Sequence, residues 1–430
     1  MTRTSITRPL SALTLAGMLI GVGATAQTTP ATSARTLAVA SRTNANVSLA
    51  TSGPLVAAAW AASLPTGVTD IYIAVSRDGG ITFAAPVRVN DTPGDARVNG
   101  EQPPRVAIHS RGATAPEIVA VWTSKTDSGG TIVSARSVDG GKTFGATSMV
   151  AQGPGNRGWE NITIDGAGKV HVVWLDHREL AQAGSMNHTA EHHQAPAESK
   201  QDAVGAAQHS KLYTATLGDP RSTHAITGGV CYCCKTAIAA AANDVYLAWR
   251  HVYPENVRDM AFTASHDGGR TFSAPMRVSE DKWQIEGCPE DGPALALDLR
   301  RQIHVVWPTL VNDAPGGQPS IGIFYALSST AQNFGARQRV PTEGVPHHPQ
   351  IAVTRDAVYL AWDELKNGAR QVVVARRPLS GAATTAWSRE VVSGNVPGTY
   401  PSLLSTDAGA IVAWTSAAPN SVIRVAALKF

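Results

Sequence analysis

A β-propeller of short four-stranded antiparallel blades is the fold class this sequence predicts, and three observations predict it. Tryptophan ends a short apolar run seven times: LVAAAW (Trp60), EIVAVW (Trp122), VHVVW (Trp174), VYLAW (Trp249), IHVVW (Trp307), VYLAW (Trp362) and AIVAW (Trp414). The mean spacing is about 59 residues, and self-similarity at a fixed period marks a stacked or radial repeat. Each run also has a short apolar run before it, such as VSLAT or RVAIH, and another after it, such as DIYIAVS or TIVSARS. A fourth, such as PVRVN or PMRVS, often follows. These runs are too short for helices and are rich in Val, Ile and Ala between turn residues, which reads as strands. Finally, Ser-x-Asp-Gly-Gly-x-Thr-Phe occurs at Ser76–Phe83, Ser137–Phe144 and Ser265–Phe272, always after the third run of its repeat.

Composition agrees with this reading. The chain has 430 residues, 43% apolar and 16% charged, enough apolar surface for a large core. The 39 glycines and 26 prolines suit turns and disfavour helical bundles and coiled coils. A formal charge of +3 without a basic run gives no electrostatic case for nucleic acid or a membrane surface as partner.

The N-terminus reads as a signal peptide over residues 1–26. Arg3 and Arg8 form a basic region, Leu10 to Val22 an apolar one, and Ala24-Thr25-Ala26 a small-residue cleavage site. The mature protein is therefore expected to be exported, periplasmic or secreted, without a membrane anchor after cleavage. Residues 27–34 read as a flexible linker and 35–430 as one propeller. Seven tryptophan repeats favour seven blades, with six as the alternative. The last repeat stops at Phe430 after its third strand, so RTLAVAS (35–41) is expected to supply the fourth and close the ring, leaving no free sheet edge. A polar stretch at 179–210, holding Met186, His188, His192, His193 and His209, reads as a His-rich loop inserted in blade 3.

The Asp-Gly-Gly cores supply the positive φ of tight hairpins, and Asp and Ser can bind neighbouring N–H groups. Here the sequence resembles the sialidase superfamily, whose Asp-boxes join the third and fourth strands of propeller blades. The resemblance gives Asp78, Asp139 and Asp267 structural roles. A further copy, Ser328 to Phe334, is degenerate. The resemblance also implies six blades, an arginine clamp for a carboxylate, and a tyrosine nucleophile working with acidic residues. Tyr400 in GTYPSL resembles the late-chain tyrosine, with Glu290, Asp291 and Arg250 as the other catalytic candidates. The family's early arginine motif is missing; Asn44-Ala-Asn46-Val47 stands in its place.

Propeller geometry puts the segments before strand one and after each tryptophan on the face opposite the hairpins. These segments carry the unusual chemistry. Glu101, Glu160, His177, Arg178, His251 and Tyr253 are candidates for binding substrate. Every cysteine lies here too: Cys231, Cys233, Cys234 and Cys288. An even count in an exported protein allows disulfides, for instance Cys233–Cys234 with Cys231–Cys288. The same cysteines, completed by His347 or His348, form a candidate site for copper or zinc. Three functions stay open at this point: a propeller with a Cys/His site for metal or redox chemistry, a rearranged sialidase-type glycoside hydrolase, and a non-catalytic binder of ligand or protein with structural disulfides and no cofactor. The ligand at the central mouth is a metal, a glycan or another small molecule, and the protein is expected to be a monomer.

Overall fold

The computed structural model describes residues 1–2, 34–110, 115–127, 129–182, 200–285, 289–311, 318–380, 385–417 and 421–428, with the main chain alone at 181–182 and 200–203. The proposed signal peptide, most of the linker, Glu286, Cys288, Met186, His188, His192 and His193 lie outside the described residues. Thr32–Phe430 forms one compact unit. No helix among the described residues is long and apolar enough to cross a membrane.

Seven antiparallel sheets follow one another along the chain, as the tryptophan repeat requires. Blade 1 is Thr43–Ser52, Leu55–Ser63, Thr69–Ser76 and Val87–Arg88. Blade 2 is Arg105–His109, Glu117–Thr126, Gly129–Ser137 and Ser148–Met149, with Ala96–Arg97 extending its inner edge. Blade 3 is Arg157–Ile164, Val170–Asp176, Lys211–Thr216 and Asp219–Thr227. Blade 4 comprises Ala237–Ala241, Asp244–Arg250, Met260–Ser265 and Met276–Arg277. Blade 5 comprises Ala294–Leu297, Ile303–Val311, Ser320–Ser328 and Gln338–Val340. Blade 6 comprises Val345–Val353, Ala357–Lys366, Ala369–Pro378 and Ser388–Val391.

Blade 7 joins the two ends of the chain. Gly398–Thr406, Gly409–Ser416 and Val422–Leu428 are completed by Arg35–Leu37, which pairs Arg35 with Val425 and Leu37 with Ile423. The expected closure is therefore present and the count is seven, not the six the family resemblance implied.

The seven tryptophans explain why the repeat exists. Each lies at the seam between its own blade and the one before it. Trp122 packs with Ile71, Ile73 and Val75 of blade 1, and Trp60 with Ile411, Ala413 and Ile423 of blade 7. Trp174, Trp249, Trp307, Trp362 and Trp414 repeat the arrangement. An indole buries roughly 150–250 Å², so one per seam fills most of a gap between two sheets. Second strands are covered on both faces by neighbouring blades. They consequently read as continuous apolar runs rather than alternating ones, as Leu55–Ser63 shows by being buried at every position from Val56 to Ala62.

The three Ser-x-Asp hairpins join third to fourth strands. Ser137 Oγ donates to Asp139 Oδ1 (2.7 Å) and accepts from Gly141 N (2.8 Å); the same carboxylate accepts from Lys142 N, Thr143 N and Thr143 Oγ1. Asp78 and Asp267 repeat this network. Gly141 has φ 87°, and a Cβ there would lie 2.6 Å from Val75 Cγ2 of the preceding blade, so the second glycine is demanded by both backbone and packing. At Ser328–Phe334 the aspartate is absent; Ala331 N donates to Ser328 Oγ (3.1 Å) and Phe334 packs edge-on against Phe262.

The insert in blade 3 departs from a plain loop at both ends. Arg178–Gln182 and Lys200–Gln208 are helical. The second helix is rich in Ala and Gln, whose helix propensity outweighs the polarity that made the stretch read as irregular.

Candidate functional site

The seven first strands surround a central cavity. Its wall includes Ser48, Arg105, Asn161, Ile238, Leu295, Gln350 and Leu403, one from each blade in order. At the end opposite the hairpins it continues into a second cavity, lined by Gly100, Glu101, Arg105, Lys235, His348, Gln350 and Tyr400 among others.

First strands reach this end through irregular backbone. Blades 1, 3, 6 and 7 each have a register shift, between Ala45 and Ser48, Gly158 and Asn161, His347 and Gln350, and Thr399 and Ser402. Inside each shift sits a non-glycine residue with positive φ: Asn46 (61°), Trp159 (54°), His348 (55°) and Tyr400 (50°). Glu290, just ahead of blade 5, has φ 46°. Bulges of this kind re-aim a side chain at some cost in backbone strain and concentrate at functional sites.

A carboxylate crosses the mouth. Glu101, from blade 2, accepts from Lys235 N (3.3 Å) and Gly292 N (3.1 Å), ahead of blades 4 and 5. Lys235 Nζ lies 3.5 Å from Glu101 Oε1 and donates to Pro349 O (3.0 Å) of blade 6. Four blades are thus tied at the axis by one buried ion pair.

Beside it stands an imidazole pair. His347 Nδ1 meets Asp291 Oδ2 at 3.1 Å, and His348 N donates to Asp291 Oδ1 at 3.0 Å. His348 Nδ1 meets Asp363 Oδ1 at 2.5 Å, and Tyr400 N donates to that same oxygen at 3.1 Å. Burial disfavours the charged form of His348, but the Asp363 charge and hydrogen bond outweigh it and raise the His348 pKa. Asp363 moves the opposite way: burial raises its pKa, and His348 and Arg370 together bring it below the ordinary carboxylate range. The Tyr400 ring lies 4.2 Å from that of His348, and burial pushes its phenol up to about 12. Gly100 makes room for this ring: a Cβ there would sit 1.9 Å from Tyr400 Cε1.

The third group is sulfur. Cys231 and Cys234 are free and buried, with their Sγ atoms 3.3 Å apart; Cys233 Sγ is 3.8 Å from that of Cys231. The two free thiols exclude the pairing of Cys233–Cys234 with Cys231–Cys288. Arg258 Nη1 lies 3.4 Å from Cys231 Sγ. A hydrogen bond from Cys234, with Arg258 and Arg250 nearby, lowers the Cys231 pKa against the effect of burial. Burial and the adjacent Cys231 raise that of Cys234, while the Asp291 N–H partly offsets the rise. The helix Lys200–Gln208 covers the group through Val204 and Ala207, so the blade 3 insert ends on the thiols.

Among the described residues, two groups bring potential ligand atoms within 4.8 Å of one another: Cys231, Cys233 and Cys234, and Asp291, His347 and His348. Asp291 belongs to both neighbourhoods, with its N–H toward Cys234 and its carboxylate toward the histidines.

The remaining sequence candidates scatter. Arg250 spends its hydrogen bonds on the carbonyls of Arg258, Asp291 and Pro308, which fixes the chain around the thiols. Glu160 is buried between blades 2 and 3, accepting from Thr123 Oγ1 at 2.8 Å; burial raises its pKa. Arg178 pairs with Asp176 beneath the Tyr213 ring, and His177 packs against Trp159. His251 and Tyr253 meet edge to face with ring centroids 4.5 Å apart, and Arg277 of the outermost strand of blade 4 lies over the tyrosine. Burial brings the His251 pKa down to about 4. Glu290 is exposed. Sequence reasoning passed over Arg105 and Gln350, whose only signal was a polar residue inside a first strand.

No family model matches the sequence, and no curated protein matches it. Solved structures do. A protein of unknown function from Dyadobacter fermentans DSM 18053 superposes with TM-score 0.50 at 12% identity, over 93% of this chain and 100% of that one. An ulvan lyase of polysaccharide lyase family 25 gives 0.52 at 9% identity, over 91% and 95%. A leech intramolecular trans-sialidase gives 0.45 at 9%, over 84% and 79%. At these identities the likeness establishes the propeller fold and nothing finer.

Proposed function

We propose that the protein is an exported propeller that binds a soft monovalent metal ion, copper(I), through Cys231 and Cys234 at its central mouth. The observation that carries this reading is the pair of free, buried thiols 3.3 Å apart with Arg258 at 3.4 Å. Two thiolates and one monovalent cation leave a single negative charge, which the guanidinium offsets in a site of low dielectric. Zinc fits less well. It asks for four ligands, and the sulfur group brings three, Cys231, Cys233 and Cys234, within reach of one another. Export is supported by the N-terminal pattern of Arg3, Arg8 and Leu10 to Val22, and N-terminal sequencing of the mature protein tests it. The three Ser-Asp-Gly-Gly hairpins support a distant kinship with sialidase-type propellers.

Competition with a chromophoric copper(I) chelator tests the metal reading. One ion per chain is expected, and Cys231→Ser or Cys234→Ser should weaken binding on the order of 100-fold or more. Unchanged affinity in both variants would end it.

A second reading is favoured by the Asp363–His348–Tyr400 cluster, which opens on the mouth cavity beside Glu101, Arg105 and Lys235. An oriented imidazole beside charged and hydroxyl groups suits acid–base chemistry on a glycan. Turnover of acidic polysaccharides or sialosides that disappears in His348→Gln would favour this reading over the metal site.

A further inference from the structure

His347 and His348 are consecutive residues of a first strand, where regular pleating would send their side chains to opposite faces. The register shift between His347 and Gln350, with His348 at φ 55°, cancels that alternation. The two rings lie together instead, with centroids 5.6 Å apart, and each joins Asp291 in bringing a ligand atom within 4.8 Å of the other two. Asp291 arrives from ahead of blade 5, directly after Glu290 at φ 46°. Two blades therefore each spend a left-handed non-glycine residue on this one spot.

Asp291 is buried. Its carboxylate meets the His347 ring and the His348 N–H, and pairs with no lysine or arginine among the described residues. Arg250 is spent on the Asp291 carbonyl oxygen instead. A buried carboxylate so placed is short of a cation. His347 Nδ1 and Asp291 Oδ2 are 3.1 Å apart; two bonds of about 2.0–2.2 Å to one ion, about 90–110° apart, would separate such atoms by about 2.8–3.6 Å. The His348 ring is held at Nδ1 by Asp363 Oδ1, and its Nε2 has no hydrogen-bond partner among the described residues. A carboxylate behind one imidazole nitrogen is the support metal-bound histidines use, because it fixes the tautomer and leaves the other lone pair for the ion.

We propose that Asp291, His347 and His348 bind a divalent ion of borderline softness, zinc in first place, at a second metal site separate from the thiols and with no sulfur ligand. Two imidazoles and a carboxylate suit such an ion better than a soft monovalent one. Zinc has no d-electron preference for geometry, and three protein ligands leave its fourth position to water or to a bound molecule. His348 lines the mouth cavity, which gives the ion a way in.

The inference rests on neither reading of the mouth given above. Copper(I) competition reports on the thiols, whereas this site is read by zinc affinity and by the atoms around the zinc, so each fails separately. Full-length metal-free protein is titrated with zinc against a chromophoric chelator, and the first equivalent is characterised by X-ray absorption. Wild type is expected to bind one ion with nitrogen and oxygen neighbours at about 2.0–2.2 Å and none at the zinc–sulfur distance of about 2.3 Å. His347→Gln, at a half-buried position, should weaken zinc binding on the order of 100-fold. A sulfur shell around the first equivalent overturns the proposal, as does zinc affinity in His347→Gln equal to that of wild type, or no zinc bound by wild type. The wild-type spectrum decides by itself if the variant fails to fold.

Discussion

The three Ser-x-Asp hairpins and the mouth place left-handed backbone on different kinds of residue. At the hairpins it falls on glycine pairs, Gly79 and Gly80, Gly140 and Gly141, Gly268 and Gly269, where it costs little. At the mouth it falls on Asn46, Trp159, Glu290, His348 and Tyr400, where side chains with a Cβ pay roughly 1–2 kcal/mol each. The hairpins are relaxed and repetitive. The mouth positions are strained, and each of the five carries a different residue type. The difference teaches that the repeat supplies a rigid frame on one side, and that the strain it can bear on the other is used to aim different chemistry into a common well.

The largest test of this contrast is Gly141→Val. The new side chain meets Val75 Cγ2 and Ile118 Cδ1 at a residue with φ 87°, so a loss of about 3 kcal/mol or more in urea unfolding is expected. A loss below about 1 kcal/mol would show that the hairpin end tolerates what the mouth tolerates.

Acid and base should separate the two ends next. Asp78, Asp139 and Asp267 are held well below the usual carboxylate range, mainly by hydrogen bonds from Thr82, Thr143 and Thr271. A depressed folded-state pKa gives stability that is complete above the unfolded value of 3.8 and is lost as pH falls through the folded value. His348 is raised, so its contribution is complete below 6.5 and is lost as pH rises through its folded value. Thermal unfolding of Asp139→Asn should therefore converge on wild type only in strong acid, and that of His348→Gln only on the alkaline side. Convergence of both variants in the same direction would break the contrast.

The smallest effect is expected at Asn46→Gly. Its N–H keeps Thr415 Oγ1 as partner (3.0 Å), and relief of strain is nearly balanced by the entropy of the unfolded chain. Stability should change by no more than about 0.5 kcal/mol in chemical denaturation. A loss above about 1 kcal/mol would mean that Asn46 has a role its backbone does not reveal.

Much of the frame was legible because its causes are local or periodic. Trp60 through Trp414 recur since every seam needs one large filler, and Ser137-Val-Asp139-Gly-Gly141 states its hairpin in five residues. The closing strand at Arg35–Leu37 was legible because a missing fourth strand demanded it. That Cys231, Cys233 and Cys234, ahead of the first strand of blade 4, lie at the end away from the hairpins followed from strand order alone. What could not be read is contact between distant segments. Glu101 is 134 residues from Lys235 and 191 from Gly292, yet it binds both. Arg250 resembled a substrate clamp, and nothing in VYLAWR indicates that three carbonyls consume it. The left-handed His348 and Tyr400 leave no trace either, because a Pro following each one, His348-Pro and Tyr400-Pro, reads equally well as a turn.

The seam between Arg35–Leu37 and Val422–Leu428 also sets an order of events. Its partners are separated by nearly the whole chain, and loop-closure entropy rises with the logarithm of that length. Six blades can zip from neighbouring hairpins, but the seventh waits for the last strand to be made. The earliest residues therefore remain a loose end while the barrel-like ring is still a horseshoe, and Trp60 has no wall to lean on until the circle is shut.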